Sequence, residues 1–305
     1  MQLSVVVCTY NRCDLLEHCL HSLEKQTFEK GLFEVIIIDN NSRDDTKQIV
    51  QKFTDRNPHF KYIFEGKQGL GYSRNRGYKE SKYDWVAYVD DDAIIHSNYV
   101  ERALWIIANY SFDCFGGVYN AWYTVKRPKW ISDDFGTNRS KQKETGELKD
   151  RYMDGGNMVW KKNILEQLGG FATEIGMKGG NISYGEETYI QQLAKEKGFI
   201  IGFDPELQID HYVQPYKLSV KWLLKSNFAT GRDYWKTFNL EPTQKDKSLR
   251  TRIYIIKELI KGACVNIKKL FSKQPYYYQN YLLDTLGPFY FQMGRLKGTY
   301  KKEVN

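Results

Sequence analysis

Trp85-Val86-Ala87-Tyr88-Val89 runs directly into Asp90-Asp91-Asp92. The first five residues are β-formers with no polar break, the pattern of a buried strand. Three carboxylates at the mouth of a strand repel one another and lose hydration unless something positive neutralises them. Clustered oxygen ligands are the chemistry of a hard divalent cation, Mn2+ or Mg2+. In an open α/β sheet such a cation sits at the carboxyl edge, where ligands bind, and can hold a phosphate-bearing substrate there. The alternative is an acidic turn, or a helix N-terminus decorated by aspartate.

The surrounding sequence alternates strand and helix. Leu3–Cys8 is an apolar, β-branched run, followed by a helical face of Leu15, Leu16, Cys19, Leu20 and Leu23. Phe33–Ile38 is a second buried strand, and a helix beginning near Asp44-Asp45-Thr46 carries Ile49, Val50 and Phe53. Phe60–Phe64 predicts a third strand, Tyr72–Ser81 a third helix, and Trp85–Val89 the fourth strand. Ser97 is placed to cap a helix bearing Val100, Ala103, Leu104 and Ile107. This spacing predicts a parallel sheet with helices on both faces. Residues 115–150 read as a long loop over a ligand cleft. Ile164–Leu168 reads as a short helix ended by Gly169-Gly170, Glu186–Lys197 as a longer one, Phe199–Phe203 as a strand, and the chain beyond about Leu218 as helical.

Composition narrows the function classes. The 305 residues carry 13 Lys+Arg against 4 Asp+Glu in 245–305, whereas 1–244 is nearly neutral with 32 against 33. A uniformly basic surface would point to nucleic acid; a basic tail on a neutral body points to local docking on an anionic surface. Five scattered cysteines without CxxC spacing read as free thiols in a reducing compartment. No apolar stretch approaches the roughly 18 residues of a membrane span, and the N-terminus lacks the basic and apolar regions of a signal peptide. The expected location is the cytoplasm, including the inner face of its membrane.

Six motifs in order then resemble one family. Val5–Arg12, Val35–Thr46, Gly69–Gly77, Asp90-Asp91-Asp92, Asp154–Met158 with Leu168–Phe171, and Gly185-Glu186-Glu187 are similar to the segments of family 2 glycosyltransferases. The resemblance covers roughly residues 3–212. It implies a GT-A type, Rossmann-like α/β fold with a mainly parallel sheet flanked by helices and a C-terminal helical extension. It divides the chain into a catalytic domain at 1–215, with nucleotide-sugar binding at about 1–112 and the acceptor side at about 113–215, and a basic, aromatic-rich helical region at 216–305.

The resemblance also assigns roles. Thr9, Tyr10, Asn11 and Arg12 line the strand edge beside Asp39 and Asn41, and Asp39 accepts the imide N–H of a uracil or similar base; an Asx turn is its structural alternative. Arg74 is the planar cation near the diphosphate, or else a solvated helical arginine. Asp90 contacts ribose or the metal's water shell, Asp91 falls in the nucleotide-sugar site, Asp92 ligates the metal, and His211 completes the site, tilting it towards Mn2+. Gly156 and Asn157 fall on the acceptor side. Relatives usually carry Glu-Asp where this chain has Glu186-Glu187; Glu187 takes the role of base, with Glu186 as acceptor contact or fallback. Helix capping is the alternative for both. The implied reaction is inverting transfer of one sugar per encounter from a nucleoside-diphosphate sugar, UDP-linked by preference, to a glycan or lipid-linked acceptor. Sugar-phosphate nucleotidyltransfer would want a glycine-rich, basic loop after the first strand, which Thr9–Arg12 does not supply. A non-catalytic nucleotide-sugar sensor would not need Asp92, His211 and Glu187 together.

In the last segment Leu249, Ile253, Ile256, Ile260, Ala263, Ile267 and Phe271 recur at spacings of three and four, interleaved with Lys and Arg. This predicts a basic amphipathic helix, broken near Gly262. It reads either as a lid packing its stripe on the catalytic domain or as peripheral contact of residues 245–305 with anionic membrane; self-association is left open.

Overall fold

The structure, a computed structural model, describes residues 1–298 apart from Arg139, Asp150, Gln244, Lys245 and Lys247, so parts of the basic segment 245–305 lie outside the described residues. The chain divides into two compact units: Met1–Trp122 with Gly136–Gly180 and Glu186–Tyr212, and Tyr123–Phe135 with Asn181–Gly185 and Val213–Asn305.

The first unit opens with the alternation read from the sequence: β1 (Leu3–Thr9), α1 (Cys13–Glu24), β2 (Phe33–Asp39), α2 (Thr46–Thr54), β3 (Phe60–Phe64), α3 (Leu70–Glu80) and β4 (Trp85–Asp90). These strands pair in parallel in the order β3-β2-β1-β4. Period-2 geometry splits β1 between two cores. Val5 and Val7 pack with Leu16, Leu20, Val50 and Phe53 of α1 and α2, whereas Val6 packs with Ile36, Tyr78 and Tyr88. Asp44 ties the helix starts together. Its carboxylate accepts from the Cys13 amide at the start of α1 and from both the amide and hydroxyl of Thr46 at the start of α2. Burial opposes its ionisation, yet these hydrogen bonds win and hold its pKa below the ordinary value.

Beyond β4 the sheet also takes in antiparallel strands. After β5 (Ala93–Ile95) and α4 (Tyr99–Asn109) come β6 (Cys114–Trp122), the two-residue β7 (Gly146–Glu147), β8 (Asn157–Lys161), α5 (Lys162–Gln167), α6 (Glu186–Glu196) and β9 (Ile201–Tyr212). β8 joins β4 antiparallel, β6 joins β8 antiparallel, and β9 runs parallel to β6 and antiparallel to β5. The sheet is therefore mixed: parallel from β3 to β4, with antiparallel and parallel pairings together beyond β4.

Three local expectations are corrected. The loop expected at 115–150 begins as a nine-residue strand, β6, whose first six residues are buried. Gly116-Gly117 lies within this strand: a Cβ at Gly117 would lie 1.8 Å from the Leu207 carbonyl oxygen, so glycine is what lets β6 approach β9 across the register shift there. The strand expected at 199–203 continues through Pro205 to Tyr212. Ser97 is not the cap of α4; Asn98 holds that position, and its side chain makes no capping bond.

The second unit is helical: α7 (Val220–Thr237), α8 (Leu249–Lys269) and α9 (Tyr278–Lys297). α7 and α9 cross with almost no side chain between them, since a Cβ at Gly231 would lie 1.9 Å from the Phe291 carbonyl oxygen and one at Gly294 would lie 2.1 Å from that of Phe228. Asp233 of α7 gathers the short segment before it, accepting from the Ser183 hydroxyl and the Tyr184 amide, while Arg232 donates to the Ile182 carbonyl. α8 is continuous through Gly262, contrary to the predicted break, and a buried Asn266–Thr285 hydrogen bond of 3.2 Å links it to α9.

Candidate active site

Parallel register aligns the ends of three strands. Thr9 is opposite Asp39, and Cys8 is opposite Asp90, so the loops leaving β1, β2 and β4 meet at one sheet edge. Asn11 and Asn41 take the left-handed region, at φ 50° and 65°, which asparagine tolerates better than most residues. Asn11 also knits the loops: its amide donates to the Ser42 hydroxyl, and its side-chain oxygen accepts from the Arg43 amide. Asn40, which the sequence reading passed over between Asp39 and Asn41, is buried; it accepts from the Gly69 amide at 2.7 Å and donates to the Lys67 carbonyl at 2.8 Å. Between these loops lies a cleft lined by Thr9, Tyr10, Arg12, Asn40, Ser73 and Asp91.

Asp39 makes the Asx-type turn named as its structural alternative, accepting from the Ser42 amide at 2.9 Å, and it also accepts from the Tyr62 hydroxyl at 2.8 Å. Each carboxylate oxygen keeps further lone-pair capacity.

A distant strand completes the acidic cluster. β5 follows the triplet at once and pairs with β9 so that Ala93 faces His211, and the Tyr212 amide donates to the Asp92 carbonyl. The imidazole is thereby delivered 3.2 Å from Asp92 Oδ1 and 4.0 Å from Asp90 Oδ2. One ligand atom from each of Asp90, Asp92 and His211 lies within 4.8 Å of the others. Two carboxylate oxygens and one imidazole nitrogen fit a divalent cation, and the nitrogen favours Mn2+ over Mg2+. Asp90, expected at the ribose or the metal's water shell, lies within this cluster.

The protein also supplies its own counter-cation. Arg12 Nη1 donates to Asp91 Oδ1 at 3.0 Å and Asp92 Oδ2 at 2.9 Å. Asp91 and Asp92 are buried. Burial raises the pKa of Asp91, Arg12 lowers it, and the neighbouring aspartates raise it; the net direction is up.

Three further residues shape the cluster. The Tyr119 hydroxyl of β6 donates to Asp90 Oδ2 at 2.6 Å, and its ring centroid lies 5.0 Å from that of His211. Burial and the adjacent Asp90 keep that phenol protonated. Asp154 accepts from the Asn138 side chain, and burial lifts it to about 6. Gly156 meets Asp90 so closely that a Cβ there would lie 2.0 Å from the Asp90 carboxyl carbon. Tyr119 carries no sequence signal of its own; Asp154 lay inside a quoted motif without a role.

Two assigned residues turn out to be occupied otherwise. Asn157 is fully buried: its Nδ2 donates to the Val118 and Leu207 carbonyls, and its Oδ1 accepts from Tyr99. Such an amide joins β8 to its neighbours and has no donor left for an acceptor substrate. Arg74 is not at the cleft wall but is buried against Glu186, with Nη1 to Oε1 2.8 Å and the guanidinium 5.4 Å over the Phe171 ring. Burial disfavours its charge, but Glu186, Glu187 and Asp90 hold it cationic. Glu186, matched to that guanidinium, is therefore a structural anion and not a free base. Glu187 is only half-buried. Desolvation and the charge of Glu186 push its pKa above the carboxylate range, against Arg74. Removing one partner of a buried ion pair leaves the other uncompensated. Arg74→Met is expected to destabilise the fold by about 3–5 kcal/mol, read as a lower urea midpoint at unchanged m.

Residues 4–169, more than half of the chain, match the family model described as glycosyl transferase family 2. The chain belongs to that family. It is 24% identical over 239 residues to glycosyltransferase AglE of Haloferax volcanii, covering 78% of this chain and 74% of that protein. It is 23% identical over 243 residues to the glucosyl-dolichyl phosphate glucuronosyltransferase of the same organism, covering 76% and 75%. Among solved structures, it superposes on mannosyltransferase PcManGT from Pyrobaculum calidifontis in complex with GDP-Man and Mn2+, with TM-score 0.65, 15% identity, and 95% and 85% of the two chains covered. S. aureus TarS 1–349 in complex with UDP-GlcNAc superposes with TM-score 0.57 at 17% identity, with 97% and 89% covered. These neighbours are GT-A type glycosyltransferases, and the protein is a glycosyltransferase of that fold.

Proposed function

We propose that the protein is an inverting, divalent-metal-dependent glycosyltransferase. It moves a sugar from a nucleoside diphosphate, uridine first, to a hydroxyl of a glycan or lipid-linked acceptor. The observation that carries this reading is the convergence of Asp90, Asp92 and His211 beside the cleft of Thr9, Tyr10, Arg12 and Asn40. The GDP-Man and Mn2+ of the Pyrobaculum complex and the UDP-GlcNAc of the TarS complex support a nucleotide-sugar donor. The name of the Haloferax glucuronosyltransferase supports a lipid-linked acceptor.

Asp90, Asp92 and His211 would hold the cation, which when bound offsets the charge developing on the leaving diphosphate. Asp39 presents lone pairs to the base imide, and the Asn11–Ser42 and Asn40–Gly69 bonds keep those loops in place before the donor arrives. Arg12, paired with the triplet and lining the cleft, takes the role beside the diphosphate that the sequence reading gave to Arg74. Arg74 fixes Glu186 and so sets the start of α6. Glu187, the next residue on that helix, takes the proton from the acceptor hydroxyl as it attacks the anomeric carbon; the nucleotide leaves and configuration inverts.

Calorimetric titration of UDP, GDP, ADP and CDP, each with and without Mn2+, tests this. Uridine-selective, Mn2+-dependent binding is the expected result. Absence of binding for every nucleotide under both conditions would overturn it.

A further inference from the structure

We infer that α8 is a docking helix that lies in the plane of an anionic phospholipid surface. Leu249, Ile253, Ile256, Ile260 and Ile267 recur every three, four or seven residues and so share one face, and Phe271 follows just past the end of the helix. All six are exposed, Leu249 at 72%, Ile260 at 59% and Phe271 at 87%. The helix buries only Ile255 and Asn266, which lie about a third of a turn away from that stripe. An apolar stripe along a whole helix, left in water, marks an interaction surface.

Charge selects the occupant. α8 carries six Lys or Arg and one acidic residue, Glu258. Arg250, Lys257, Lys261 and Lys268 run along one flank of the stripe and are exposed. A second copy seated on the same face would bring like charges together across a two-fold interface. Nucleic acid would satisfy the bases but leave the isoleucines without a partner, because stacking needs aromatic faces. A surface of anionic headgroups over acyl chains satisfies both, the stripe entering the acyl boundary and the lysines meeting phosphate. Among the described residues no helix is long and apolar enough to cross a membrane, so docking would be interfacial. This inference goes beyond the proposed transfer reaction and does not rest on it.

The test is sedimentation of the full chain with vesicles of phosphatidylcholine alone and of phosphatidylcholine mixed with phosphatidylglycerol. The wild type is expected to pellet with the mixed vesicles only, and less so as salt rises. The double variant Ile256→Glu, Ile260→Glu is expected to bind at least about tenfold more weakly. The triple variant Lys257→Gln, Lys261→Gln, Lys268→Gln is expected to lose most of the salt dependence. These side chains are exposed, so melting temperature and far-UV circular dichroism should match wild type. Wild type remaining in the supernatant with both vesicles, or pelleting of the double variant at wild-type level, overturns the inference. So does a wild-type dimer that the double variant breaks without any vesicle binding. Nucleotide binding measured on the same preparations separates failure of docking from failure of the transferase reading.

Discussion

Asp92→Ala is expected to abolish the Mn2+ dependence of nucleotide binding and to lower turnover by at least about 100- to 1000-fold, the size of effect seen when one group stabilising developing charge is removed. Asp92 is the residue on which the cluster turns. One of its oxygens faces His211 at 3.2 Å, and the other takes Arg12 at 2.9 Å. Its loss removes one of two carboxylates from the candidate cation site. Arg12 keeps Asp91, at 3.0 Å, so the variant does not strand a cation and should fold. Titration of Mn2+ alone gives a readout independent of turnover. Asp92→Asn preserves volume and one acceptor oxygen and should retain Arg12 while weakening Mn2+. Unaltered Mn2+ binding in both variants would show that the cation is held elsewhere.

Glu187→Gln is expected to lower kcat by about 10²- to 10⁴-fold, the usual contribution of a positioned general base, with the donor KM little changed. The pH profile distinguishes a base from a packing residue. Desolvation and the charge of Glu186 raise the Glu187 pKa in the folded protein. The active form is ionised, so kcat/KM of the wild type should rise with pH through that elevated value, and the acid limb should vanish in the glutamine variant. The sign for stability is the opposite. Its contribution is complete below the ordinary carboxyl pKa and is lost as pH rises through the folded value, because the charged form is what burial penalises. Glu187→Gln should therefore reduce the loss of stability between acid and neutral pH. Glu187→Asp keeps a carboxylate one methylene shorter and should recover part of the rate. An acid limb that persists in the glutamine variant would assign the proton transfer to another group.

The first half of the chain was legible because its signals are local. Runs such as Val35–Ile38 are too apolar to lie anywhere but in a covered sheet, and helices with one buried stripe must pack on it. Parallel pairing then brings Thr9, Asp39 and Asp90, all named from strand ends, to a single edge. The part of the sheet beyond β4 was less legible. Gly116-Gly117 and Pro205 each sit within a strand, because a close approach between neighbouring backbones demands glycine and an irregular register tolerates proline.

The roles of the charged residues divide in the same way. Side-chain type and position at a strand or helix end identify Asp90, Asp92, His211 and Glu187 as groups able to bind a cation or carry a proton, whatever packs around them. Partner choice is a property of the packed chain. Arg12 and Arg74 are chemically alike, and nothing along the chain tells which reaches the triplet and which is sealed against Glu186. Two carboxylates one residue apart are likewise equivalent until burial and a guanidinium make Glu186 an anchor and leave Glu187 half-buried. Ion pairing inside a protein depends on distance and dielectric, and here both are set by contacts between residues 79 to 112 positions apart.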